Sequence, residues 1–282
     1  DGGQLIHDDP VAATIQRKVN VYDTSKDGDN SGFELIASPV TDALDVDTET
    51  NLTDDGEYDL YIFDQSKAQE EWRNYKKTPN PDFTSIENGK GYLYANSATV
   101  TIAFSGTLKP SDEPATIYLN FVSEKPFTGW NLVGNPFACN AYATDTTGKS
   151  LAFYKMNATG DGFEATTGSI APMEGIFVHA SGTGQSFKFT RNAPSSVPGK
   201  GNLNINVVQT VTNPDAHQAT DNAIIRFDGG STLEKFSFSN GSSKVYFPIG
   251  NKDFAVVNAE DHGDIPVNFQ AEENGTYTLS LS

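Results

Sequence analysis

The chain has 282 residues, enough for one large or two ordinary domains, each with its own hydrophobic core. Lysine and arginine number 19 and aspartate and glutamate 37, so the net charge is −18, which repels phosphate backbones and argues against a nucleic acid partner. No apolar run approaches the roughly 20 residues of a membrane helix, and a single cysteine excludes intrachain disulfides and sites built on several thiolates.

Alternation of apolar and polar residues with period two dominates the first two thirds of the chain. This pattern, or an aromatic-rich variant of it, is found at residues 18–22, 58–63, 72–75, 99–104, 116–121, 151–156 and 186–190. Such segments predict strands that are half-buried on one face, with residues 72–75 as the return strand of a hairpin. Helical periodicity is nearly absent, so the sequence predicts an all-β fold.

A phrase occurs twice in the chain. GFELIASP at residues 32–39 returns as GWNLVGNP at residues 129–136. Each copy leads to a second shared phrase, GYLYA at residues 91–95 and GIFVHA at residues 175–180, and an aromatic strand lies between the phrases in both copies. Apolar alternation with Gly and Pro stops is a packing pattern, so the repeat predicts a duplicated β unit.

Residues 193–201 are small and rich in Pro and Gly, which is typical of a linker. They separate a duplicated β-sandwich, residues 32–192, from a second sandwich, residues 202–282. The N-terminal strand segment and acidic loop, residues 1–31, are assigned to the first domain. The predicted architecture is thus a tandem of antiparallel β-sandwiches of the jelly-roll or immunoglobulin-like type.

The second sandwich is predicted to be incomplete. Its predicted strands are residues 203–207, 223–227, 244–247, 254–257 and 277–281. These are five strands, where a sandwich normally has about seven. A missing strand leaves unpaired backbone groups along an open edge. We expect the strand at residues 277–281 to be complemented there, either by the rest of the same chain or by another molecule.

Two motifs resemble a known group of proteins. GWNLVGNPF at residues 129–137 and APMEGIFV at residues 171–178 are similar to a module common at the C-terminal side of large secreted and surface proteins of Bacteroidota. Residues 233–236, 255–257 and 265–269 resemble the β domain that usually follows it. The resemblance implies export, often by type IX secretion, and a stalk, adhesion or sorting role beside adhesins or proteases. It also implies that the last domain continues past Ser282.

An acidic loop at residues 23–34 is the best metal motif. Its candidate Ca²⁺ ligands are Asp23, Ser25, Asp27, Asp29 and Glu34. Four of them stand at positions one, three, five and twelve of an EF-hand-like pattern, with Gly28 at position six. Asn30 stands where an EF-hand has an apolar residue, and strands rather than helices flank the loop. An acidic hairpin loop without metal is therefore the alternative.

No catalytic motif was found: the sequence lacks a His-Glu-x-x-His pair, a nucleophile elbow and a P-loop. Members of a triad need not be adjacent, but the four histidines are scattered. Trp72 and Tyr75, flanked by charged residues, are the rings most exposed to solvent by prediction and could stack on a sugar. Trp130 and Tyr94, within the repeated phrases, are predicted to be core.

Two functions follow from these observations. The first is a non-catalytic, secreted or cell-surface β-sandwich module of a larger exported bacterial protein, acting in adhesion, assembly or as a structural stalk. The second is an accessory carbohydrate- or substrate-binding domain of a secreted protease or glycoside hydrolase. Either would take a glycan or a protein as its ligand, without a cofactor other than Ca²⁺ and without insertion into a membrane.

Overall fold

The computed structural model describes residues 3–19, 21–22, 31–77, 81–195, 201–213, 216–236, 242–261 and 263–282. In these ranges the regular structure consists of strands, apart from one 3-10 turn at Ala259–Asp261. All but one of the strand pairs in the described ranges are antiparallel, and the predicted all-β fold is confirmed. A helix of the length and apolar character needed to cross a lipid bilayer does not occur in the described residues.

The first copy of the duplicated unit contributes eight strands where the structure describes it. They are β1 (Val11–Val19), β2 (Glu34–Ala37), β3 (Leu44–Asp45), β4 (Tyr58–Phe63), β5 (Trp72–Asn74), β6 (Ser85–Ile86), β7 (Gly91–Asn96) and β8 (Val100–Leu108). One sheet has the order β2-β7-β4-β5, while β1 pairs with β8 and β3 with β6. The strand predicted at residues 18–22 was misplaced, because the pairing with β8 extends from Val11 to Val19.

The second copy repeats the four-stranded sheet of the first. Its strands are β9 (Ala115–Tyr118), β10 (Trp130–Gly134), β11 (Tyr142–Thr144), β12 (Phe153–Met156), β13 (Phe163–Thr166), β14 (Gly175–His179) and β15 (Ser186–Thr190). The sheet order β10-β14-β12-β13 reproduces β2-β7-β4-β5, and a second layer has the order β11-β15-β9. The duplication predicted from the repeated phrases is therefore present in the strand order.

The two copies meet through equivalent residues, as subunits do about a two-fold axis. Ile36 forms a β-bridge with Glu174, and their counterparts Val133 and Lys90 form the equivalent bridge. The adjacent hydrogen bonds are also equivalent: Ala37 N donates to Met173 O, and Gly134 N donates to Gly89 O, both over 3.0 Å. The repeated phrases thus form a reciprocal interface between the copies.

Burial on both faces explains why these phrases are apolar almost without interruption. In β7, Tyr94 packs in the core of the first copy, whereas Leu93 contacts the cluster shared with the second copy. In β14, Val178 packs in the core of the second copy and Phe177 joins the shared cluster. A strand covered on both sides loses its polar positions. The prediction that Tyr94 is a core residue is confirmed.

In its described residues, the C-terminal unit has seven strands in one sheet. They are β16 (Asn202–Thr210), β17 (Thr220–Arg226), β18 (Leu233–Glu234), β19 (Lys244–Ile249), β20 (Lys252–Asn258), β21 (Asn268–Gln270) and β22 (Thr276–Leu281). The order is β21-β19-β20-β17-β16-β22, with β18 on β20 and a parallel β17–β20 pair. The prediction of five strands was an undercount, because β18 and β21 are too short for alternation to show.

Candidate functional site

One apolar cluster joins the two copies and the C-terminal sheet. Its buried members include Leu35 and Leu93 from the first copy, Trp130, Tyr154 and Phe177 from the second, and Ile224, Phe236, Ala255 and Val256 from the C-terminal unit. Trp72 of β5 is a half-buried member. The C-terminal sheet is therefore packed against the duplicated unit through a shared hydrophobic core. The prediction that Trp130 is a core residue is confirmed by its 6% exposure.

Phe236 lies at the centre of this cluster. The centroid of its ring is 4.2 Å from that of Trp130, 4.9 Å from that of Phe177 and 5.8 Å from that of Tyr154. It also approaches Phe63 of the first copy, at 6.5 Å. Tilted and edge-to-face rings at these separations attract each other beyond the effect of area burial. A single side chain after β18 thus contacts both copies.

Polar contacts fix the same junction. Arg226, at the end of β17, is fully buried, and its guanidinium binds both carboxylate oxygens of Asp228 over 2.8 and 2.7 Å. It also donates to the carbonyl oxygens of Ser231 and of Ser150 in the second copy, each over 3.1 Å. A buried charge requires this degree of pairing. Arg226 therefore ties the C-terminal sheet to the second copy.

A cleft of about 170 Å³ opens beside the aromatic cluster, and we call it the junction cleft. It lies between the β12–β13 hairpin and the C-terminal sheet. Its ionisable lining residues are Asp161, His217, Asp221, Lys235, Lys244 and Glu272. Phe163 and Phe236 add apolar wall. Hydrogen-bond donors and acceptors beside two rings are the combination found in small-molecule sites.

A buried ion pair forms one wall of the junction cleft. Lys235 Nζ lies 2.6 Å from Asp221 Oδ2 and donates to Asn222 O over 3.1 Å. The Asp221 carboxylate also accepts from Val245 N over 2.7 Å. Burial raises the pKa of Asp221 and lowers the pKa of Lys235, in each case against the effect of the partner's charge. These contacts orient both charges and make the pair part of the framework of the C-terminal unit.

Asp161 also lines the junction cleft. Its Oδ1 accepts from Asn157 Nδ2 and from Thr159 Oγ1, each over 2.6 Å. Its Oδ2 lies 3.9 Å from His217 Nδ1. The side chain of Asn157 accepts from the backbone of Gly160 and Asp161, which makes residues 157–161 an Asx-type turn. The hairpin therefore holds a carboxylate in a fixed position facing an imidazole.

The calcium prediction falls mostly outside the described residues, since Asp23, Ser25, Asp27 and Asp29 all lie there. Glu34 is buried in β2, and its carboxylate forms an ion pair with Arg17. A guanidinium therefore already neutralises the one candidate ligand that the structure places. Within the described ranges, no group of three or more His, Cys, Asp or Glu side chains could hold a metal ion. Calcium binding stays a prediction.

The two predicted ligand-binding rings take part in packing. Trp72 is half-buried, with its ring centroid 5.3 Å from that of Phe63 and 5.9 Å from that of Phe177. Tyr75 is half-buried 5.5 Å from Phe83, and burial raises the pKa of its phenol. Trp72 also lines a groove of about 200 Å³ between the two copies. Ligand binding by Trp72 and Tyr75 stays a prediction.

Sequence reasoning missed the junction cleft. Its charged residues come from the turn between β12 and β13, the segment before β17, β17 itself, the residue after β18, the start of β19 and the segment after β21, which are widely spaced in sequence. The one local signal was the polar, Gly-containing loop at residues 157–163, and this composition is typical of a plain turn. Cys139, by contrast, is 1% exposed and burial raises the pKa of its thiol, as expected of a small core residue.

The chain was compared with protein-family models, with curated proteins and with solved structures, and none of the three comparisons gave a match.

Proposed function

We propose that this chain is a non-catalytic, secreted or cell-surface module of a larger exported bacterial protein, acting as a structural stalk or in assembly. Adhesion is the third role consistent with the sequence. The observation that carries the proposal is the shared aromatic core, in which Phe236 contacts both copies. A stalk must keep its units in fixed relation under load, and a common core provides this where a flexible tether does not.

The resemblance of the repeated phrases to surface modules of Bacteroidota supports the proposed location. The net charge of −18 is also compatible with an exposed protein that stays soluble at high local density. Strand complementation at the edge of β22 belongs to the same proposal, as the means by which the module joins another polypeptide segment.

Cooperative unfolding tests the structural role. The two tryptophans, Trp72 and Trp130, both belong to the shared cluster, so their fluorescence reports on it directly. Urea unfolding should give one transition by fluorescence, circular dichroism and hydrogen exchange of all three units. Phe236→Ala should lower the urea midpoint by the same amount in all three measurements, equivalent to about 3–5 kcal/mol of unfolding free energy. Phe269→Ala, at a ring that is 40% exposed, is the matched control and should cost much less.

Independent unfolding of the C-terminal sheet at lower urea would contradict the structural role, because a shared core cannot persist when one of its layers is lost. Turnover of peptide or glycoside substrates by the purified chain would contradict the non-catalytic part of the proposal.

The junction cleft favours a second candidate, an accessory carbohydrate- or substrate-binding domain. Carboxylates, an imidazole and two lysines line the cleft beside Phe163, which suits a polar ligand with one apolar face. A glycan array should then give a specific signal that is lost in Glu272→Gln and His217→Ala. Glu113→Gln, an exposed carboxylate elsewhere in the chain, is the control and should bind normally. If the array gives no signal, the binding role is rejected and the structural role remains.

A further inference from the structure

β22 ends the C-terminal sheet, and its core-facing side chains are exposed. Leu279 pairs with Val207 of β16 and Leu281 pairs with Ile205, and directly opposed residues point to the same face of a sheet. Val207 and Ile205 are buried, with 2% and 4% exposure, whereas Leu279 and Leu281 expose 53% and 61%. In the described part of the chain, nothing therefore covers the core side of β22 at these two leucines.

The other end of the same sheet has the same property. Phe269 of β21 pairs with Val245 of β19, which is fully buried, yet Phe269 is 40% exposed. The ring of Phe269 meets that of Tyr277 edge to face, with centroids 5.0 Å apart. The sheet thus curls until β21 and β22 approach each other at Tyr277. We call the space between them the edge slot, bounded by Phe269, Tyr277, Leu279 and Leu281.

At Tyr277, Leu279 and Leu281, the backbone N–H and C=O groups of β22 point toward the edge slot. Asn204 and Ser282 exchange both main-chain hydrogen bonds, over 2.8 and 3.1 Å. Hydrogen-bonded and non-bonded pairs alternate along an antiparallel ladder, so Leu281, Leu279 and Tyr277 turn their N–H and C=O groups away from β16. Among the described strands, β16 is the only partner of β22.

Devices that normally protect an edge strand are missing from β22. Residues 276–281 contain no lysine, no proline and no other charged residue. Natural sheets use such residues, or bulges, to prevent pairing with further strands. Within the described residues, the edge slot therefore combines backbone groups that lack a strand partner with uncovered apolar side chains, which are the two requirements for addition of a strand.

The charge near Tyr277 determines which incoming strands the edge slot favours. Tyr277 Oη donates to Glu273 O over 3.1 Å, and the Glu273 carboxylate accepts from Gln209 Nε2 over 2.6 Å. Glu272 is exposed beside it. These two carboxylates favour a basic residue on an incoming strand. A second copy of this chain would instead add a further charge of −18, and like charges repel.

We propose that the edge slot accepts an antiparallel β-strand from another protein, with apolar side chains at alternate positions and a lysine or arginine at its C-terminal end. The added strand pairs with the backbone of Tyr277, Leu279 and Leu281, and its apolar residues cover Phe269 and the two leucines. The basic residue lies beside Glu273. This inference rests on the assembly role proposed above and specifies the partner for it.

The test uses the full chain and labelled synthetic peptides. The peptide TVTVTVTK, amidated at its C-terminus, has the required pattern, and VVVTTTTK has the same composition without alternation. Fluorescence anisotropy should show saturable binding of the first below about 1 mM and at least about tenfold weaker binding of the second. TVTVTVTE should also bind less tightly, and the difference should shrink at high salt.

Paired variants locate the site. Leu279→Lys places a charge on the core side of β22 and should weaken binding of TVTVTVTK by about tenfold or more. Ser280→Lys adds the same charge at the neighbouring position, which faces the other side of the sheet, and should bind nearly as well as the native chain. Both substitutions are at exposed positions, and unchanged unfolding midpoints will show that both variants fold.

Several results would overturn the inference. They are equal binding of the two isomeric peptides, equal loss in both variants, or absence of binding. Dimerisation in sedimentation experiments that Leu279→Lys abolishes would also overturn it, because the occupant would then be a second copy. A chain that unfolds in one cooperative transition but binds no peptide would leave the structural role standing, so the two proposals fail separately.

Discussion

The side-chain amide of Asn222 exchanges two hydrogen bonds with the backbone of Ala165. Ala165 N donates to Asn222 Oδ1 over 2.9 Å, and Asn222 Nδ2 donates to Ala165 O over 2.8 Å. Ala165 lies in β13, the edge strand of the second copy, and is buried. Asn222 lies in β17. One side chain of the C-terminal sheet therefore takes the place of a partner strand at the edge of its neighbour.

Asn222→Ala should destabilise the chain, because it leaves a buried N–H and a buried C=O of Ala165 without partners. Unsatisfied groups of this kind cost about 1–3 kcal/mol. The control is Asn202→Ala, which removes an exposed bond of 2.9 Å to Thr167 Oγ1 at the same junction and should cost under about 0.5 kcal/mol. Urea unfolding measures both. If both variants lost the same stability, water would be hydrogen-bonded to the N–H and C=O of Ala165 in Asn222→Ala.

The interface between the two copies should be sensitive to a single methyl group. A Cβ on Gly134 would collide with the Cβ of Ala37 and with the carbonyl of Lys90, and neither backbone can move without breaking the reciprocal bridges. Gly134→Ala should therefore lower the free energy of unfolding by about 1–3 kcal/mol. Gly182→Ala, where a Cβ would meet nothing within 4 Å, should be nearly neutral. Thermal unfolding of the two variants measures both changes in stability, and equal losses would contradict the prediction.

The fold could be predicted where the sequence repeats, and less well elsewhere. The phrases around Leu35 and Leu132 indicated a duplicated unit, because strands buried on both faces have recognisable apolar runs. The surface against which each of these strands packs could not be predicted. Leu93 and Phe177 reach the shared cluster, while their neighbours Tyr94 and Val178 do not, and no local pattern separates a residue facing its own core from one facing another unit.

The candidate site was beyond sequence reasoning for a physical reason. Lys235 is a charged residue in an exposed-looking stretch, yet its side chain is 4% exposed because Asp221 compensates its charge. The two residues are 14 apart in the sequence, one in β17 and the other after β18, so no local pattern links them. The open edge was predicted from a strand count that was too low, and the exposure of Leu279 and Leu281 became visible only from the register of β22 with β16.

The Asp221–Lys235 pair should show strong coupling. Removal of one partner leaves the other charge buried without compensation, so Asp221→Leu and Lys235→Met should each cost about 3–5 kcal/mol. The double variant removes both charges and should lose much less than the sum of the two. A double-mutant cycle by urea unfolding measures the difference. Additive losses would show that water reaches the pair and screens each charge independently.

Stability should also depend on the ionisation of Glu174. Burial raises the pKa of this carboxyl, which lies at the bridge between the copies and accepts from Ala171 N over 2.6 Å. Because the folded chain holds the proton more tightly than the unfolded chain, the protonated form contributes stability that is fully present below the unfolded pKa. That contribution is lost as the pH rises through the folded pKa.

Glu174→Gln cannot ionise and keeps an acceptor for Ala171 N, so it should unfold at higher urea than the native chain at pH 7. The gain should vanish below about pH 4, where Glu174 is protonated in both states. Glu113→Gln removes the same charge at an exposed position and corrects for the change in overall charge. Urea midpoints at both pH values give the comparison. A difference between the two variants that stays constant from pH 4 to pH 7 would show that burial of Glu174 does not control its ionisation.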